Sequence, residues 1–255
     1  MKRKPFTLLL ILIALQMQSF SQVSGTIQFE ERMKMILQTE DTDQMGDMAE
    51  QMPKELKFYK LLYFTPEQSL YTADKTMKQD SKNMEVDTDN DGPRIIMKMD
   101  EPDEQVYCDL LNKKKIEKRD LFDRPFIVES DLSKMEWKLT TKQKTILGYP
   151  CQEAVLKDSS INLKVWFTSS LPVSTGPNGF GNLPGLILEV NRDEGKQIIT
   201  AINISPGEVD EKIFVKPSGG KKMNKEDFNK LVEEKRKEMQ EENGGEGNFI
   251  IKIRN

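Results

Sequence analysis

The chain of 255 residues contains no histidine. That absence removes Ser-His-Asp and Cys-His nucleophilic sites, HExxH zinc proteases and imidazole acid/base chemistry together. Cysteine is nearly as scarce: Cys108 and Cys151 are the only two, and neither belongs to a CxxC pair, which argues against a thiol oxidoreductase. Phosphate-cradling P-loop and dinucleotide fingerprints are missing as well. Basic charge is in deficit, with 38 Lys and Arg against 42 Asp and Glu. What remains is carboxylate, Lys or Tyr chemistry, and metal sites built from oxygen or sulfur.

Long apolar runs are also lacking, with one exception. Lys2, Arg3 and Lys4 precede Leu8 to Leu15, and Ser19-Phe20-Ser21 supplies small residues before Gln22. This is the layout of a secretory signal peptide over residues 1–21, and its core is shorter than the roughly 20 residues of a membrane-spanning helix. The chain from Gln22 onward is expected to be exported, periplasmic or outer-membrane-associated, without a transmembrane segment. Removing the signal takes away three basic residues and no acids, so the net charge moves from −4 to −7. A negative surface argues against nucleic acid and anionic lipid as partners. In an oxidising compartment a Cys108–Cys151 disulfide is expected, with two buried thiols or an intermolecular bridge as alternatives.

Residues 22–255 read as one domain of the α+β class, rich in β: a curved antiparallel sheet or half-open barrel with one long C-terminal helix. Ile27, Phe29, Met33, Met35 and Leu37 recur at period two, interrupted by Glu31, as in a half-buried strand. The segment from Gln38 to Glu55 is polar, with Met45, Met48 and Met52 at near-helical spacing. Strands are expected at Leu56 to Phe64 and Ser69 to Thr72, and the charged run from Thr76 to Gly92 as a loop excursion. Further strands are expected at Arg94 to Met99, Gln105 to Leu111, Lys115 to Leu121, Phe126 to Glu129 and Trp137 to Thr140. The clearest follow at Lys144 to Leu147, Gln152 to Lys157, Ile161 to Thr168, Leu186 to Asn191 and Gln197 to Ile204. In Ile161 to Thr168, Ile161, Leu163, Val165 and Phe167 share the core face, and Trp166 lies on the other. Asn224 with Asp227 opens an amphipathic helix over 224–242, carrying Phe228, Leu231, Val232 and Met239. After the Gly-rich break at 244–247, Phe249 to Ile253 reads as a late strand.

Thr175 to Val190 concentrates Gly and Pro before an apolar strand, and Leu183-Pro184-Gly185-Leu186 reads as a turn with Pro second and Gly third. The chain resembles the secreted GLPGLI family of Bacteroidota. The hexapeptide that names that family stands here as Asn182-Leu183-Pro184-Gly185-Leu186-Ile187, with Asn in place of the first Gly. Asn tolerates left-handed backbone, so the corner is expected to survive. Ile146 to Ala154, Val165 to Thr168, Gly176-Pro177 and Phe180 extend the resemblance. It implies a signal peptide, a β-rich body, an envelope location and an outer-membrane transport or envelope protein as partner, and no particular reaction.

Three chemistries can be weighed against plainer readings. Asp87, Asp89, Asp91 and Gly92 match the first half of a calcium loop, but position 12 is Lys98, Pro93 follows the Gly, and Glu101 or Asp103 would have to complete the shell. A solvated acidic turn is the plainer reading. Met33 with Met35 and Met97 with Met99 could offer thioethers to Cu(I), or fill the core where the period-two pattern wants apolar residues. Carboxylate pairs for hydrolysis cannot be selected from sequence spacing, and Glu189 and Asp193 beside the signature strand read as surface groups. Trp166 and Trp137 could line a ligand groove, or Trp166 could lie beneath the C-terminal helix. The expected role is a non-catalytic binding module for a partner protein, peptide or apolar ligand, needing no cofactor. Metal handling is the alternative, and a carboxylate-based hydrolase the second.

Overall fold

Twelve strands join into one open sheet whose order, β14-β8-β7-β6-β3-β2-β1-β13-β12-β11-β10-β9, places the first strand in its middle. The computed structural model describes residues 23–34, 53–77, 82–86, 95–99, 104–121, 124–132, 134–158 and 160–242. The strands are β1 (Gly25–Lys34), β2 (Glu55–Phe64), β3 (Gln68–Ala73), β4 (Lys82–Val86), β5 (Ile95–Met99), β6 (Gln105–Asp109) and β7 (Lys114–Leu121). They continue as β8 (Arg124–Asp131), β9 (Trp137–Ile146), β10 (Tyr149–Leu156), β11 (Leu163–Thr168), β12 (Leu186–Arg192), β13 (Gln197–Pro206) and β14 (Lys221–Asn224). One helix, α1 (Lys225–Glu242), follows. The fold is the expected one: mostly β, an open curved sheet and a long C-terminal helix.

Alternation of side chains decides which face is inside. In β1 every odd residue from Gly25 to Met33 is buried, and in β2 every even residue from Leu56 to Phe64. In β11, Leu163, Val165 and Phe167 are buried and Trp166 is half-buried on the other face, as the pattern predicts; Ile161 falls outside the strand and is exposed. Curvature brings distant strands together. Val106 and Cys108 of β6 share one apolar cluster with Cys151 and Ala154 of β10, although six strands separate β6 from β10 in the sheet.

The inside of that curve is filled by the chain itself. Between the adjacent strands β11 and β12, residues 169–185 cross the concave face, burying Leu171, Val173, Phe180 and Leu183. Thr175 Oγ1 lies 2.9 Å from Ser69 Oγ on β3. Gly179 sits where a Cβ would come within 3.0 Å of Cys108 Sγ on β6.

Three expectations are corrected. The excursion between Thr76 and Gly92 contains β4, which pairs antiparallel with β5 in a separate two-stranded ribbon; its charged composition hid it. The terminal strand β14 was also hidden, being four residues of Lys-Lys-Met-Asn that add to β8 in parallel. The Leu183 to Leu186 corner is not closed as a hydrogen-bonded turn. Leu186 N donates to Leu171 O at 3.0 Å and Ile187 N to Thr175 O at 3.0 Å, so the crossing segment holds the corner. Asn182 does adopt left-handed backbone, with φ 64°.

Helix α1 begins as Asn224 and Asp227 foretell: Asp227 N donates to Asn224 Oδ1 at 2.8 Å. Phe228 meets Phe126 of β8 edge to face, 5.6 Å between centroids. The helix therefore lies at the β8–β14 end, far along the sheet from β11, and Trp166 is not beneath it. No helix among the described residues is long and apolar enough to cross a membrane.

Candidate functional site

The concave face changes chemistry along its length. Where β1, β6 and β12 are filled by Ile27, Phe29, Cys108, Leu186 and Leu188, it is apolar. Toward the end of β1, the start of β6 and the ends of β7 and β12, the inward side holds Glu31, Glu104, Glu117, Arg119 and Arg192, with Lys60 at the middle of β2. Antiparallel pairing puts these strand ends at one rim of the sheet.

Arg119 is the hub of this rim. Its Nη2 donates to Glu117 Oε1 at 2.8 Å and its Nη1 to Glu104 Oε2 at 3.2 Å. Lys115 Nζ reaches Glu117 Oε2 at 2.9 Å. Burial works to raise the Glu117 carboxyl, but Arg119 and Lys115 hold it below the usual carboxylate range. Burial likewise works against the charge on Arg119, yet Glu104 and Glu117 keep its pKa raised. Between the paired strands β13 and β1, Gln197 Nε2 donates to Glu31 Oε1 at 2.6 Å, both being buried. Arg192 is held differently. Its guanidinium lies over the Phe180 ring at 5.9 Å, and its Nε is buried with no hydrogen-bond partner. Desolvation lowers its pKa, and the charge of Arg119 lowers it further.

A second concavity opens on the convex side, between β6, β7, β8 and the start of α1. It encloses about 750 Å³ and is lined with charged and hydroxyl side chains, among them Asp109, Asn112, Lys114, Ser130, Asp131 and Lys216. Lys114 Nζ pairs with Asp131 Oδ1 at 2.5 Å, and Lys216 Nζ lies 5.6 Å above the Tyr107 ring. Asn112 Nδ2 donates to Asp109 Oδ2 at 2.8 Å; this and the Asn112 backbone N–H hold the Asp109 carboxyl low. Ser130 Oγ is buried without a partner. Such a lining offers many donors and acceptors and more polar than apolar surface, which suits a polyhydroxylated ligand better than a purely apolar one.

The residues singled out from sequence are scattered. Trp166 is half-buried with Lys144 Nζ 4.5 Å from its ring centroid, and that ammonium is paired with Glu189 at 2.6 Å. The ring is thus covered by a lysine, not open as a platform. Trp137 donates its indole N–H to Gly181 O at 2.8 Å, a structural tie. Leu183, Leu186 and Ile187 of the signature are core residues, and Asn182, Pro184 and Gly185 shape the corner between them. Cys108 and Cys151 are both free and buried, so the expected bridge is not formed here. Cys108 faces Ser69 and Lys115, whereas Cys151 faces Lys144 and Glu189, and burial pushes each thiol up to about 11. Asp87, Asp89 and Asp91 lie outside the described residues, as do Glu101, Asp103 and Met35. Met33 is packed with Leu56 and Phe58. Among the described residues no three His, Cys, Asp or Glu side chains are grouped to hold a metal ion.

Neither concavity was picked out from the sequence, yet a signal was present. Glu31 interrupts an inward apolar stripe, and Lys60 does the same between Phe58 and Leu62. A charged residue at a core-phase position marks a place where the inside is not apolar.

Comparison with known proteins returns one family, described as N-glycanase peptide, N-terminal domain, over residues 92–228. That span takes in the convex groove and the rim residues Glu104, Glu117, Arg119 and Arg192. Two solved structures of PNGF-II, in the C2 and P21 space groups, share the fold at 17% identity and a TM-score of 0.52. They align with 84% and 85% of this chain and with 33% and 34% of their own. The chain therefore spans about a third of the length of those structures. No curated protein matches.

Proposed function

Because the chain belongs to the family described as N-glycanase peptide, N-terminal domain, we propose that it is a non-catalytic glycan-associated module that binds an oligosaccharide in the convex groove. The observation carrying this reading is the groove's lining. Asp109, Asn112, Lys114 and Asp131 set carboxylate, amide and ammonium groups around one opening of about 750 Å³. Sugars are recognised by such convergent polar groups. The groove is formed by adjacent strands and the first turn of α1, so its geometry rests on rigid elements. The basic and apolar residues before Gln22, together with the Asn182 to Ile187 signature, support an envelope location for the module.

The test is a titration of the full chain with a free N-glycan oligosaccharide, followed by NMR. Saturable shifts at Asn112, Lys114 and Asp131, weakened about tenfold in Asp131→Ala through loss of charge-assisted hydrogen bonding, are the expected result. Absence of any shift at millimolar glycan overturns the reading.

A further inference from the structure

We propose that Arg192 is the anchor of an anion site at the ionic rim of the concave face, taking the carboxylate or sulfo-type oxyanion of a small ligand. The convex groove plays no part in it, and it holds whether or not that groove binds glycan.

The argument starts from an imbalance. Arg119 has two carboxylates, Glu104 and Glu117, each at hydrogen-bond distance. Arg192 has no comparable arrangement. Its Nε–H is out of contact with solvent and meets no acceptor, and its nearest ring contact is Phe180. Glu31 and Asp193 are the carboxylates that face it, and neither accepts from that Nε. Glu31 Oε1 instead accepts from Gln197. From β7 the positive charge of Arg119 bears on it too.

A half-buried guanidinium whose shielded Nε–H goes unused, under the influence of a second positive charge, is unfavourable without a compensating anion. An oxyanion at Nε answers both faults. It accepts the unused hydrogen bond, and it places negative charge between two positive groups. The guanidinium fork suits a planar carboxylate or a tetrahedral sulfate, because Nε–H and one Nη–H point the same way. Phe180 contributes one wall, its ring centroid 5.9 Å from the guanidinium carbon. Phe180 belongs to the segment that crosses the bowl, so the anchor is held at the edge of the core cluster.

The experiment titrates the full chain with sodium sulfate and with sodium glucuronate. Ionic strength is kept constant with chloride. Melting temperature and the 15N-resolved Nε–H signal of Arg192 are followed. The wild type is expected to show a saturable rise in melting temperature with a matching shift of that signal. Arg192→Gln is expected to lose the saturable response while melting in chloride no lower than the wild type, since it removes an unsatisfied charge. Arg192→Lys, which lacks the fork, is expected to bind about tenfold more weakly. Tighter binding of glucuronate than of sulfate identifies an organic acid, and the reverse order a sulfo-type group; either upholds the site. Equal responses in wild type and Arg192→Gln, or no saturable shift of the Arg192 signal with either anion, overturn it.

Discussion

The indole N–H of Trp137 is bonded to the carbonyl of Gly181 at 2.8 Å, tying strand β9 at one edge of the sheet to the segment that fills its concave face. Met135 N adds a second, longer contact of 3.4 Å to Asn182 Oδ1 nearby. The edge strand is therefore fastened to the core through the signature corner as well as through its ladder with β10.

Trp137→Phe keeps a ring and removes the donor. It is expected to destabilise the fold by about 1–2 kcal/mol in urea unfolding, the usual cost of orphaning a shielded acceptor. Hydrogen exchange should accelerate first at Leu186 and Ile187, whose amides are bonded to the crossing segment.

Two glycines separate close approach from backbone freedom. A Cβ on Gly185 would lie 2.0 Å from Thr168 O, so Gly185→Ala must displace backbone and is expected to cost about 3 kcal/mol or more. Gly148 has φ +84° with nothing within 4 Å of the added carbon. Gly148→Ala should therefore cost only about 1–2 kcal/mol, the left-handed penalty alone. Equal losses in the two variants, measured by chemical denaturation, would contradict this division.

The thiols make a pH prediction. Burial raises Cys108 and Cys151 from 9.0 to about 11 in the folded chain. The folded state thus retains protons that the unfolded state gives up above pH 9. Their contribution is fully present below pH 9 and is lost as pH rises from 9 to 11. Thiol titration at neutral pH should find neither cysteine reactive in the native protein and both reactive in guanidinium; a finding of no thiols after unfolding would restore the disulfide.

The Glu117 carboxyl has the opposite sign. It is lowered below 4.5 when folded, so its contribution is present above that value and lost as pH falls through the folded pKa. Arg119→Met removes its principal partner and leaves Lys115, for an expected loss of about 3–5 kcal/mol at neutral pH. The gap between wild type and variant should narrow in acid, where the carboxyl is neutral in both. A pH-independent gap would mean that Arg119 acts through packing alone.

The strands were legible wherever alternation was undisturbed, as in β2 and β11, because a half-buried strand writes its two faces into the sequence. The helix start was legible because Asn224 and Asp227 bond locally. Strands β4 and β14 were not, since their pairing partners rather than their composition make them strands. The corner at Gly185 was read as a turn because Pro-Gly favours one. Its amides are claimed instead by Leu171 and Thr175, residues that sequence alone does not bring near. The ionic rim was hidden because Arg119 on β7 and Arg192 on β12 lie far apart in the sheet order and come to influence one another only in the folded chain.

The placement of β1 between β2 and β13 carries a consequence for how the chain comes into being. One side of β1 pairs with residues 55–64, but the other waits for residues 197–206. Contacts of such long sequence separation form late and slow the folding rate. During synthesis the central strand stays half-unpaired until nearly the whole sheet has emerged, so this chain closes in a single late event instead of maturing piece by piece.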